Sequence, residues 1–210
     1  MTPRRAGEPP IDKQRAILDA AIRVFARDGF HRCRVSDIAN EADVAYGLVY
    51  HYFRSKDEVL DTLFSERWSL LLEAIADVDK LEVPAREKLY AIASFIIDSY
   101  HHDPDLMKVI IVEVTRAANT FGRHHLEEIT QAYEGIAAIV ARAQEEGTFR
   151  SDISATFASL CFYGAIEQLL SAWVFDALGK TPDDFEQAKQ MVVETVCGGL
   201  EVETPLAPAP

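Results

Sequence analysis

Apolar side chains recur along this chain at three- and four-residue intervals, the spacing of helices with one buried face. Ile17, Leu18, Ala21, Ile22 and Phe25 form a wide apolar stripe; Asp12 is placed to cap its start and Gly29 to stop it, which predicts a helix over 13–28. Val35, Ile38, Ala39 and Ala42 then share one face of a short second helix that must end at Asp43. The next segment, Ala45 to Phe53, is too short to be stable alone and must be held from behind. Val44, Val49 and Phe53 suit that inner side, which leaves Tyr46, Leu48, Tyr50, His51 and Tyr52 facing outward as a reading surface. Ser55 and Glu58 stand at the spacing of a capping box, and the apolar run Val59, Leu60, Leu63, Phe64, Trp68, Leu71, Leu72, Ile75 and Val78 carries a long helix onward.

The rest of the chain is also helical by its pattern. Pro84 opens a helix with Leu89, Ile92, Ala93, Ile96, Ile97 and Tyr100 inward, which ends at His101-His102-Asp103-Pro104. Further helices are predicted over 104–117 and 122–146, the latter stopped by Gly147. From Ala155 to Leu178 the sequence is apolar on most of its circumference and needs cover on more than one side. Thr181-Pro182 opens the last helix, to Leu200, with Phe185, Ala188, Met191, Val192, Thr195 and Val196 predicted inward. One copy of the chain does not supply enough cover for these two helices, so a homodimer through them is expected. The fold class is all-α, divided into an arm over 1–10, a small three-helix head over 11–56, a larger helical body over 57–202 and a disordered tail over 203–210.

Charge sharpens this division. The net charge is −13, yet residues 1–56 hold ten Lys and Arg against seven Asp and Glu, so the excess of acid lies in the remainder. Only the basic end should approach a polyanion, and Arg4 and Arg5 extend that character into the arm. Cys33, Cys161 and Cys197 have neither an even count nor a CxxC spacing, which argues against disulfides and a zinc site. The pairs His101-His102 and His124-His125 are adjacent and diverge on a helix, so no metal site is expected; they read as surface side chains at helix ends. There is no Gly-rich phosphate loop, nucleophile elbow or HExxH, which excludes the corresponding enzyme classes. No apolar run approaches the roughly 20 residues of a membrane span and the start lacks a signal peptide's apolar stretch, so the expected location is cytoplasmic, with no membrane partner.

The stretch IAxEA, then Val44, then GxxYxYF, Ser55-Lys56 and Glu58 resembles the helix-turn-helix of the TetR family of bacterial transcriptional regulators, over about Gln14 to Leu60. Two departures are visible: Asp43 stands where the family usually has Gly, and Cys33-Arg34 replace small hydroxyl residues before the second helix. The resemblance implies about nine helices, three in the head and six in the body, with the last two packing on their copies as a four-helix dimer bundle. It assigns contact with a double-stranded DNA operator to Arg34, Ser36, Tyr46, Gly47, Leu48, Tyr50, His51, Tyr52 and Lys56. It further implies a small-molecule effector in a body cavity around Trp68, Phe95, Tyr100, Phe121, Tyr133, Phe162 and Tyr163. Arg116 and Arg123, with His124 and His125, form a local positive cluster in an acidic body, suited to the anionic head of a fatty acyl-coenzyme A; a neutral hydrophobic molecule is the alternative. Repression released by that effector is the expected activity, with an activator of the same family or a helical scaffold without DNA binding as the other readings.

Overall fold

The computed structural model describes residues 12–116 and 125–201, the side chains of 113–116 excepted. The arm with Arg4 and Arg5, the tail, and Phe121, Arg123 and His124 therefore lie outside the described residues. Nine helices are present among those described: α1 (Lys13–Asp28), α2 (Val35–Glu41), α3 (Tyr46–Tyr52), α4 (Lys56–Asp79), α5 (Ala85–His102), α6 (Pro104–Arg116), α7 (Leu126–Glu145), α8 (Ala155–Val174) and α9 (Pro182–Leu200). They fall into two compact units, the first ending at Phe64 and the second beginning at Ser65.

In the first unit the ends of the helices are fixed by local chemistry. The Asp12 carboxylate accepts from the backbone N–H of Gln14 and Arg15, and Gly29 terminates α1 at φ 81°. Ile17, Ala21, Val24 and Phe25 of α1 are buried with Ile38 and Ala39 of α2 and Val49 of α3. Arg23 and Arg27 of α1 both reach Glu41 at the end of α2, at 2.8 and 3.2 Å. Ser55 caps α4 by accepting from Glu58 N–H at 3.1 Å, while the Glu58 carboxylate reaches one residue further back than a capping box requires, to Arg54 N–H at 2.6 Å.

In the second unit α8 packs against α5, α6, α7 and α9, and α9 lies along α5. The Ile75 side chain of α4 seats against the backbone of α7 at Gly135, where a Cβ would sit 2.8 Å from Ile75 Cγ2. Two sequence expectations are corrected here. First, α8 stops at Val174 rather than running to Leu178, because Asp176 turns left-handed at φ 56° and Trp173 Nε1 donates to Gly179 O at 2.9 Å, folding the chain back. Second, the buried face of α9 is Phe185, Lys189, Val192, Val193, Cys197 and Leu200, whereas Met191 and Thr195 are exposed. The pattern misplaced the face because Lys189 is a buried cation, paired with Asp98 of α5 at 2.6 Å and with Glu186.

Helix α8 also departs from the expectation that no segment has the length and apolarity of a membrane span. At 20 residues and a mean hydropathy of 1.2 it has both, yet only 33% of its most apolar window is buried within the unit. Its exposed apolar residues, Phe157 and Leu160 among them, mark a face that one chain leaves uncovered.

Candidate nucleic-acid interface and effector cavity

The turn between α2 and α3 is tight. Ala42 N–H donates to Ile38 O, Asp43 N–H to Asn40 O and Val44 N–H to Ala39 O, and Asp43 takes φ 51°, a left-handed conformation that Asp tolerates better than most residues. Asp43→Gly should therefore keep the turn and raise stability by up to about 1 kcal/mol, read from thermal melts; a loss of stability would mean the Asp side chain itself holds the turn.

Helix α3 is only seven residues long and is anchored by Val49 and the following Phe53, both nearly inaccessible. That anchoring forces the remaining side chains out. Tyr46, Tyr50 and Tyr52 are 54%, 44% and 36% exposed, His51 and Gly47 are exposed, and Leu48 is half-buried. Tyr46 and Tyr50, one turn apart, bring their hydroxyls to 3.1 Å with edge-on rings, and this hydrogen bond raises the Tyr50 pKa, so its hydroxyl remains a neutral donor. His51 and Tyr52 meet edge-on as well. A Cβ on Gly47 would touch nothing, so the glycine leaves the backbone approachable from outside. The result is a short ridge of phenolic and imidazole groups, suited to phosphate oxygens and base edges.

Arg34 is exposed at the start of α2, where Asp37 accepts its backbone N–H at 2.7 Å, and Ser36 is half-buried beside it. Lys56 is different. Its ammonium donates to Phe30 O at 2.7 Å and Cys33 O at 3.2 Å and lies 4.5 Å from the Phe30 ring centroid. It clasps the α1–α2 loop, a role that sequence reading missed because the acceptors lie 23 and 26 residues earlier. Arg54, exposed directly after α3, is a further cation that the sequence reading passed over.

In the second unit a cavity of about 50 Å³ opens between α4, α5, α6 and α8. Trp68 and Tyr163, both named from the sequence, line it and stack with centroids 6.0 Å apart; Tyr133 meets Tyr163 edge-on at 5.2 Å. Burial pushes the Tyr163 hydroxyl pKa well up. Phe95 lies under the Arg67 guanidinium at 4.8 Å, and Arg67 and Glu167 are cavity residues that the sequence reading did not pick out. Tyr100 and Phe162 do not line it: Tyr100 is stacked on Trp173 at 5.6 Å, and Phe162 is fully enclosed. Arg116 closes α6, and Phe121, Arg123 and His124 lie outside the described residues. His125 is 5% exposed, with Nδ1 3.5 Å from Glu128, rather than the surface side chain its position implied.

A short outward helix set at a tight turn on two supporting helices, joined to a helical unit with an internal cavity, defines a ligand-responsive helix-turn-helix DNA-binding protein. Residues 17–63 match the model of the bacterial regulatory proteins of the tetR family, and residues 86–196 match the tetracyclin repressor-like C-terminal domain. The fatty acid metabolism regulator protein of Bacillus subtilis is 30% identical over 165 residues, covering 78% of this chain and 84% of that one. Among solved structures, the fatty acid degradation regulator FadR from Bacillus halodurans superposes with a TM-score of 0.81 at 24% identity, covering 91% of this chain and 98% of its own. FadR from Bacillus subtilis in complex with stearoyl-CoA gives 0.78 at 25% identity, covering 88% and 98%. The chain belongs to the TetR family of bacterial regulatory proteins, with the helix-turn-helix unit at its N-terminal end and the family's C-terminal domain after it.

Proposed function

We propose that two copies of the protein, joined through α8 and α9, hold a near-palindromic operator with their α2–α3 ridges and release it when a fatty acyl-coenzyme A enters the cavity of the second unit. The observation that carries the effector reading is that cavity's wall of Trp68, Leu71, Ile96, Met107 and Ile110, which suits a methylene chain. The Bacillus subtilis relative crystallised with stearoyl-CoA supports the same class of ligand. Ligand pockets usually measure about 300–1,000 Å³, so a long chain must widen this cavity as it binds. Three of the lining residues, Arg67, Trp68 and Leu71, belong to α4, the helix whose first turn carries the Lys56 clasp. A ligand that binds one position of α4 better than another shifts the population of DNA-competent molecules.

In this reading Arg34, Ser36, Tyr46, Gly47, Leu48, Tyr50, His51, Tyr52 and Lys56 meet the duplex, with residues 11–56 as the reading domain and 57–202 as the effector and dimer domain. Leu48 favours a thymine methyl over a hydrogen-bonding base edge. Arg116 and Arg123 receive the coenzyme's anionic head. The test is operator release measured by gel shift against acyl-coenzyme A of increasing chain length, free fatty acids and neutral hydrophobes, with Arg116→Ala and Arg123→Ala in parallel. Long-chain acyl-coenzyme A is expected to raise the melting temperature and release DNA, and both variants to need more of it. Acyl-coenzyme A that does neither overturns the effector class, and variants that respond as the parent does return those arginines to ordinary surface charge.

A further inference from the structure

Arginine is rarely buried without a counter-ion, and Arg67, at the wall of a cavity, has none among the described residues. It falls within the apolar stripe of α4, four residues after Leu63 and four before Leu71, and is 9% exposed. Its guanidinium rests over the Phe95 ring, while its buried Nε–H meets no acceptor among the described residues. Burial lowers the Arg67 pKa, with the Tyr163 hydroxyl working the other way. A charged group held in this way is costly, and an apolar side chain of similar volume would relieve the cost. Glu167 lines the same cavity, and burial raises its pKa.

We propose that Arg67 is the polar anchor of the effector cavity, donating from its guanidinium to the acyl carbonyl oxygen of an aliphatic ligand. The inference rests on the aliphatic-effector reading above and adds to it a residue and an atom. The chemistry of the wall selects the ligand group. Leu71, Ile96, Met107 and Leu170 accept methylenes, so the cationic donor among the described lining residues fixes where along the chain an oxygen must fall. A carboxylate would face Glu167 across the same space, whereas the neutral carbonyl of a thioester takes the Arg67 hydrogen bond without that repulsion. The ligand chemistry is thus an acyl oxygen on an apolar chain, with the thioester favoured over the free acid.

The experiment compares the full chain with Arg67→Met, an apolar residue of similar reach, by titrating palmitoyl-coenzyme A, palmitate and hexadecane and following intrinsic tryptophan fluorescence and melting temperature. Arg67→Met is expected to fold at least as stably as the parent and to bind palmitoyl-coenzyme A about tenfold or more weakly, the size of a hydrogen bond to a charged group. Its affinity for hexadecane should be unchanged or higher. A loss confined to palmitoyl-coenzyme A identifies the thioester carbonyl as the group held; a loss shared with palmitate identifies the acyl oxygen in general. Equal losses for all three probes would make Arg67 a packing residue, and no loss for any would make it a cation satisfied by water; either overturns the proposal. If the parent binds none of the three, the aliphatic-effector reading itself falls and takes this inference with it, a result separable because it appears without any substitution. Should Arg67→Met fail to fold, Arg67→Leu, equally apolar and unable to donate, carries the same comparison.

Discussion

Glutamate at both Leu169 and Met191 should leave the protein monomeric in analytical ultracentrifugation and weaken operator binding by about 10²–10⁴-fold, the gain that linking two half-site contacts supplies. The two side chains face an apolar groove of about 420 Å³ formed by α8 and α9, which also takes in Ala165, Leu178 and Ala188. Met191 is 59% exposed in the single chain and Leu178 42%, while Phe175 just beyond α8 is 74% exposed. A face of this composition on two adjacent helices, one of them only 33% buried across its most apolar window, fits a self-complementary seam about a two-fold axis. Placing four carboxylates in such a seam, two from each copy, buries charge without partners and opposes assembly. The single chain should keep its fold, because Met191 is exposed and Leu169 only half-buried in it, so unchanged helicity is the internal control. A variant that remains dimeric, or one that is monomeric yet binds the operator as tightly as the parent, would move the seam elsewhere or remove the need for it.

The helix ends were legible because their signals are local. Asp12 with Gly29, Ser55 with Glu58, and Thr181 with Pro182 act within a turn of where they stand, and the structure uses each of them. The outward set on α3 was legible for a related reason: a seven-residue helix can bury only what its two anchors, Val49 and Phe53, bring inward. The misses are long-range. Lys56 beside a helix start reads as a phosphate ligand, and its added contact with the carbonyls of Phe30 and Cys33 could not be read from its neighbours in the chain. Lys189 disguised the inner face of α9 because its counter-charge, Asp98, lies on another helix. Arg67 did leave a trace, a cation inside the apolar stripe of α4, but the aromatic residues around it suggested an apolar lining, and the polar group was sought at Arg116 and Arg123 instead.

Tyr100, counted toward a ligand site from the sequence, packs in an aromatic stack away from the Trp68–Tyr163 cavity, and its partner sets the largest stability effect expected. Trp173→Ala should destabilise the second unit by about 3–5 kcal/mol, the range for removing a large buried aromatic side chain. Trp173 is 1% exposed, stacks on Tyr100 with centroids 5.6 Å apart and meets Phe185 edge-on at 4.8 Å. The ring thus joins α5, α8 and α9, and its Nε1–H ties the loop after α8 to Gly179 O. Deleting it opens a cavity among three helices and leaves the loop carbonyl without its donor, two losses that add. For a unit of this size the melting temperature should fall by roughly 6–20 °C, followed by circular dichroism. Trp173→Phe keeps most of the ring contact and should cost far less, mainly the hydrogen bond, about 1 kcal/mol. Because Tyr100 lies in this stack and not on the Trp68–Tyr163 cavity, Tyr100→Phe should leave the response to acyl-coenzyme A unchanged. An altered response in a Tyr100→Phe protein of normal stability would put the phenol back on the effector's path, and a Trp173→Ala protein that melts with the parent would show that Tyr100 and Phe185 close the gap unaided.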